Sequence, residues 1–223
     1  GIEVHGANRG RTIIMLITRY QLAAWRFAST DESRTSLHCL RLGPEPRTVW
    51  ATNGHYAVKV EALADVAEAD FPAIPGVTWQ EAKEGESILL PAEMARAALK
   101  ALKVEAILQH ARISLEAGAT EGAPTHIVVA VTDLEKPTVL RARVPDVTFP
   151  DVAHIFNEFK PSALNAPISL SGRYLADVGG YAGLVNRRSA AITWEFCGPN
   201  KPVRFSWADD EHRVTGILMP IWV

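Results

Sequence analysis

A chain of 223 residues holds one large domain or two small ones, and 48% hydrophobic with 22% charged residues is an ordinary globular balance. The formal net charge of −2 excludes a global basic signal for nucleic acid, so any such contact must come from a local stripe. Two cysteines, Cys39 and Cys197, are too few for a disulfide framework and fit a reducing compartment. The start, Gly1 to Gly6, has no secretory pattern, and the first apolar run, Ile13 to Ile17, is far too short to span a bilayer. The expectation is a soluble, cytoplasmic protein without a membrane partner.

In chain order, one rhythm recurs: a short apolar strand, an amphipathic helix, then three strands. The first copy places a strand at 12–17 and a helix at 18–29, with Thr18 as a cap whose hydroxyl accepts from the first turn. Strands follow at 36–42, 48–52 and 56–60, separated by the turn signals Gly43-Pro44 and Asn53-Gly54. The second copy begins at 87–90. Pro91 suits the first helical position because its missing N–H would be unpaired there anyway. The helix runs to about Lys103, with strands at 107–115, 126–132 and 139–144. The third has a strand at 167–170, Ser171 as cap, a helix to about Asn186, and strands at 191–196, 203–207 and 214–218. Three strand–helix–strand–strand–strand copies argue for an internally repeated α+β fold.

The joints differ in composition. Residues 64–86 are rich in Ala, Glu and Pro and read as a surface excursion or an interface arm. Phe149-Pro-Asp-Val152 through Lys160-Pro161 reads as a linker. The division expected is a domain of two units over 1–154 and a half-domain of one unit over 155–223.

The helices carry a candidate nucleic-acid surface. Arg96, Lys100 and Lys103 fall on one face of the second helix, opposite Met94, Ala98, Leu99 and Leu102. Arg19 and Arg26 share a face of the first helix; Arg173 and Arg187 share one of the third, with Gly180 between them. A layer of helices offering basic stripes can track a phosphate backbone without reading bases. The alternative is the solvated face of any surface helix. Gly179, Gly180 and Gly183 weaken the third helix by about 1 kcal/mol each relative to Ala, and either admit a neighbouring helix or mark a weak one.

The last ten residues, Val214-Thr-Gly-Ile-Leu-Met-Pro-Ile-Trp-Val223, are almost wholly apolar, and such a tail left in water is an exposed patch. The expectation is a strand over 214–218 ended by Pro220, with Ile221, Trp222 and Val223 lining a groove. Together with Ala51-Thr-Asn-Gly-His-Tyr-Ala57, this tail resembles the bacterial DNA sliding clamp, the beta subunit of the replicative polymerase. Those clamps end in a strand, Met-Pro and a few apolar residues, and carry Ala-Thr-Asp-Gly-His in their middle domain. Asn200-Lys-Pro-Val203 and Phe149-Pro-Asp-Val152 match two further family turns.

The resemblance implies a DNA-clamp-like α+β fold of repeated β-α-β-β-β units, sheets outside and helices on one face. It also implies an apolar pocket for short hydrophobic peptides from polymerases, the clamp loader and repair proteins. Carried over residue by residue, that pocket takes Leu37, Thr52, Gly54, His55, Tyr56 and Ala57 from the hairpin side. Pro202 stands on its rim, and Ile217, Leu218, Met219, Pro220 and Ile221 come from the tail. This sequence departs from the family with Asn53 for its Asp, Tyr56 for its usual Arg, and Trp222 where Arg is frequent. Losing a planar multi-donor contact changes peptide preference. Clamp rings close with about twelve such units; three per chain would need four chains, and a half-domain leaves sheet edges open, so a homo-oligomer is expected.

No catalytic constellation stands out: no phosphate loop, no Gly-x-Ser-x-Gly and no Cys-x-x-Cys. Asp209-Asp-Glu-His212 is the densest titratable cluster, and a charged hairpin turn is its default reading against a metal site. The expectation is a non-enzymatic protein without cofactor or metal. The role that the resemblance implies is a clamp-like processivity factor on duplex DNA or, alternatively, a clamp-derived interaction scaffold or decoy that does not encircle DNA.

Overall fold

Thr18 ends one strand and starts one helix. Its Oγ1 accepts from Gln21 N–H at 3.1 Å, while Gln21 Oε1 accepts from Thr18 N–H at 2.9 Å, so two first-turn donors are satisfied reciprocally. The computed structural model describes residues 12–13, 15–31, 33–64, 71–77, 82–83, 85–103, 107–117, 124–163, 167–185 and 191–221. Arg187, Trp222 and Val223 lie outside the described residues, as does the expected helix end near Asn186.

The first repeat comprises β2 (Met15–Thr18), α1 (Arg19–Ala23), β3 (Cys39–Leu42), β4 (Thr48–Thr52) and β5 (Tyr56–Ala62). It is preceded by β1 (Thr12–Ile13), which pairs with β6 (Ala82–Lys83). The second comprises β7 (Ile88–Pro91), α2 (Ala92–Ala101), β8 (His110–Ala117), β9 (Pro124–Thr132) and β10 (Pro137–Arg143). After α3 (Ala153–Glu158), the third comprises α4 (Gly172–Val185), β11 (Thr193–Phe196), β12 (Val203–Ala208) and β13 (His212–Leu218).

Four local expectations need correction. The first helix is five residues long and tightens into a 3-10 turn over Ala24–Phe27, where three-residue spacing buries Ala24 and Phe27 together. The strand expected from Ser36 starts at Cys39, because Thr35–Leu37 forms a 3-10 turn tied by Ser29 N–H to the Leu37 carbonyl. Residues 153–158 of the linker are helical. Among the described residues 167–170 form no ladder, although like β7 they are a short segment with a proline that precedes a helix; Ser169 stands among them where β7 has apolar residues throughout.

The strands make two main sheets. One has the order β10-β9-β8-β2, the other β11-β12-β13-β5-β4-β3-β7. The first two repeats thus exchange their leading strands, β2 joining the second repeat's sheet and β7 the first's. The longer sheet crosses from the first repeat to the third where Tyr56 faces Leu218 and Ala62 faces His212. The boundary drawn at 154/155 falls within α3, on the outer surface of that sheet.

Helices α1, α2 and α4 form one layer: α1 packs on both others, and all three close over the main core. Phe27 is its keystone, fully buried, with its ring 5.1 Å from Tyr56, 5.2 Å from Tyr181 and 6.3 Å from Phe205. All five residues of β4 are buried because the sheet is covered on both faces. On the outer face Trp50 and Ala57 lie under Phe149 and Val152, and Phe156 meets Trp50 edge-on at 5.0 Å. Phe71 and Ile74, from the 64–86 excursion, cover the outer face of the other sheet at Ala130. Among the described residues no helix is long and apolar enough to cross a membrane.

Candidate functional site

The hairpin between β4 and β5 is built by its own side chains. Asn53 Oδ1 accepts from His55 N–H at 2.9 Å and Tyr56 N–H at 3.2 Å; Thr52 Oγ1 accepts from Gly54 N–H at 3.1 Å. Gly54 has φ +89°, a conformation that suits a residue without Cβ. The side-chain oxygen of Asn53 performs the acceptor role that a carboxylate would have there.

The tail runs directly beside this hairpin. Strand β13 pairs with β5 through Leu218 opposite Tyr56, and Met219 N–H then donates to the His55 carbonyl at 2.9 Å. Ile221 N–H donates to the Ser169 carbonyl at 2.8 Å, drawing the tail to the segment before α4. Tyr174, on the first turn of α4, stacks on His55 at 5.8 Å and tilts against Tyr56 at 4.7 Å. Three remote parts of the chain therefore meet around one turn.

The residues taken for the pocket divide by burial. Met219 and Ile221 are 40% and 46% exposed, and Gly54 and His55 are also exposed. Leu37 and Pro220 are half-buried, as is Pro202, one residue before Val203, which pairs with Leu218. A Cβ on Gly54 would stand 3.6 Å from Leu37 Cδ1 and 3.3 Å from Arg34 Nη1. Thr52, Tyr56, Ala57, Ile217 and Leu218 are buried. Tyr56 turns its ring into the core, where its hydroxyl meets the Arg26 carbonyl and Asp177 Oδ2 at 3.1 and 3.2 Å. Burial first, then the Asp177 charge, pushes that phenol upward, so it stays protonated.

Sequence reasoning missed two contributors. Helix α3 lies against β13, and Phe149, Val152 and Phe156 cover the outer side of the hairpin strands. The available signal was the cluster of apolar side chains in a segment otherwise read as a linker. Tyr174 had none.

The expected DNA-facing cations do not form one free stripe. Arg19 Nη1 donates to the Leu102 carbonyl at 2.6 Å and so closes the end of α2. Lys103 lies beyond α2, which ends at Ala101, and pairs with Asp133 at 2.6 Å. Arg26 and Arg96 both stand over Trp25, 5.6 and 5.1 Å from its ring centre, and both are exposed. Lys100 and Arg173 are exposed as well.

Asp209 to His212 forms the hairpin between β12 and β13. Asp209 Oδ1 accepts from the backbone N–H of Glu211 and His212, and among the described residues no group of three metal-ligating side chains occurs. His212 is buried against Tyr20, its Nε2 2.9 Å from Thr18 Oγ1. Burial pushes the imidazole below its ordinary 6.5, against the pull of Asp209 and Glu211 and with a downward push from His110. A neutral ring is favoured by the fold, so the unfolded chain binds the proton more readily. The stabilisation is complete above pH 6.5 and lost as pH falls through the folded value. Thermal unfolding is expected to be level near neutrality and to move to lower temperature below that pH. His212→Gln should shrink this limb and leave the part due to His110, whose imidazole burial also lowers; a wild-type curve level down to about pH 5 would refute the assignment. Cys39, also buried, has its thiol pushed up to about 11 and is held as the unreactive form.

No family model and no curated protein sequence matches this chain. Solved structures do. A DNA polymerase sliding clamp from Bacillus subtilis superposes with a TM-score of 0.63 at 13% identity, covering 100% of this chain and 67% of that one. The beta subunit of DNA polymerase III from Thermotoga maritima gives 0.61 at 13% identity, covering 100% and 68%. A Pseudomonas aeruginosa sliding clamp bound to griselimycin gives 0.59 at 14% identity, again covering 100% and 68%. The fold is that of a sliding clamp, and the chain spans about two-thirds of the length of these neighbours.

Proposed function

We propose that this clamp fold serves a non-catalytic, DNA-associated factor that captures short hydrophobic peptides beside the His55 hairpin. In this reading 1–154 is a clamp-like domain and 155–223 a half-domain. The observation that supports it is the hydrogen bond from Met219 N–H to the His55 carbonyl, which fixes an apolar, exposed tail beside an exposed turn. Pro202 and Pro220 flank the tail, Leu37 underlies Gly54, and Thr52, Tyr56, Ala57, Ile217 and Leu218 hold the surface from beneath. Apolar side chains with a few polar edges suit a short apolar peptide.

Duplex DNA is the second partner, held without base readout by the layer of α1, α2 and α4. Arg26, Arg96, Lys100 and Arg173 are its contacts; Arg19 and Lys103 serve the fold. A clamp-derived scaffold that binds peptides alone is the competing reading, favoured by the internal engagement of those two cations.

Salt-dependent retention on nicked circular against linear duplex separates the two. A ring stays on the circle at salt that strips it from the linear form; a simple DNA binder leaves both; a scaffold binds neither. Arg26→Glu with Arg96→Glu is expected to abolish retention at low salt and leave peptide binding intact. Unchanged retention would remove these helices from the interface.

A further inference from the structure

The first two repeats complete each other, and among the described residues no strand or helix completes the third in the same way. β2, leading into α1, pairs with β8; β7, leading into α2, pairs with β3. In each exchange the helix-capping residue lies opposite the first residue of the receiving strand: Thr18 opposite His110, Pro91 opposite Cys39. The next residue then donates one step further, Arg19 N–H to the Gln109 carbonyl at 3.0 Å and Ala92 N–H to the His38 carbonyl at 2.7 Å. Among the described residues, 167–170 lead into α4 but join no ladder, and β11 pairs with β12 on one side while its other edge meets no strand, just the Ser162 N–H at the Phe196 carbonyl.

Burial shows the same vacancy three times. Four residues past the cap, α1 buries Leu22 and α2 buries Ala95, both 0% exposed, whereas α4 leaves Leu175 37% exposed. In the exchanged strands Leu40, Leu42 and Leu90 are fully buried, but Leu170, Trp194 and Phe196 are only half-buried. Gly179, Gly180 and Gly183 of α4 face open space where a Cβ would stand. Helices α1 and α2 pack on each other, whereas α4 packs on α1 and the 3-10 turn that follows it.

We propose that a second copy of this chain supplies what is missing, each copy adding its 167–170 segment to β11 of the other while the two α4 helices pack across a two-fold axis. The chain carries the leading segment, the open edge and the bare helix face in complementary form. One axis therefore satisfies all three on both copies. The internal exchanges fix the register: Ser171 opposite Thr193 of the second copy, Leu170 opposite Trp194, Ser169 opposite Glu195, Ile168 opposite Phe196. Backbone groups of 168, 170 and 172 then point to the new neighbour and those of 169 point away, which leaves the Ser169 carbonyl with Ile221. Ser162 N–H, now 2.7 Å from the Phe196 carbonyl, is displaced.

The proposal depends on repeat geometry and not on DNA or peptide binding, so it stands or falls apart from the function above. Light scattering of the wild-type chain at about 50 µM should give the mass of at least two copies, and Leu175→Glu should weaken association about 100-fold with its melting curve retained. In a chain with Cys39 and Cys197 replaced by Ser, Ser169→Cys with Glu195→Cys should give a covalent dimer on oxidation. Ser169→Cys with Thr193→Cys, two residues out of register, should not. A monomer at that concentration overturns the proposal. So does an oligomer that Leu175→Glu leaves intact and the in-register cysteines fail to link.

Discussion

Gly216→Val is expected to cost about 3 kcal/mol and to lower the unfolding midpoint by on the order of 10 °C. Gly216 lies directly opposite Phe205 between β13 and β12, and the phenyl ring occupies the space above it. A Cβ there would stand 1.9 Å from Phe205 Cζ and 2.3 and 2.4 Å from its neighbours in the ring. The ring has nowhere to turn. It is fully buried, with Trp194 at 5.6 Å, Trp207 at 6.0 Å and Phe27 at 6.3 Å. Because Phe27 also meets Tyr56, the strain passes to the strand that carries the His55 hairpin. An unchanged melting curve, followed by circular dichroism, would mean that β12 and β13 do not pair at this register.

The second large effect is on binding. Met219→Asp with Ile221→Asp is expected to weaken a fluorescein-labelled peptide of leucine and phenylalanine about 100-fold, from the loss of two apolar contacts worth about 1.5 kcal/mol each. Both side chains are near half-exposed, so the fold should melt as the wild type does. Leu218→Asp, by contrast, puts a carboxylate where the side chain is 0% exposed and should unfold the chain. Anisotropy titrations read the affinity. If the double variant binds as tightly as the wild type, the tail is not the docking surface.

Local chemistry made much of this protein legible from its residues. Thr18 ahead of a helical run, Asn53 followed by Gly54, Pro91 ahead of an amphipathic run, and an apolar stretch ended by Pro220 each specify their own backbone within a few residues. Those signals gave the hairpin, the final strand and the repeats apart from the third one's leading strand, and with them parts of the candidate site. The basic side chains were less readable. Whether Arg19 or Lys103 faces solvent depends on Leu102 and Asp133, which the helical period does not place.

What only the tertiary structure decided is who pairs with whom. Residues 88–91 and 167–170 are both short and apolar and both lead into a helix, yet only the first is a strand. A strand's backbone groups are satisfied by a neighbour, and the neighbour of 88–91 is Cys39–Leu42, supplied by another repeat. Among the described residues the segment 167–170 meets no such edge. Tyr174 reaches His55, and Phe156 reaches Trp50, for the same reason: the residues lie more than a hundred apart along the chain, and the packing that joins them leaves no local trace.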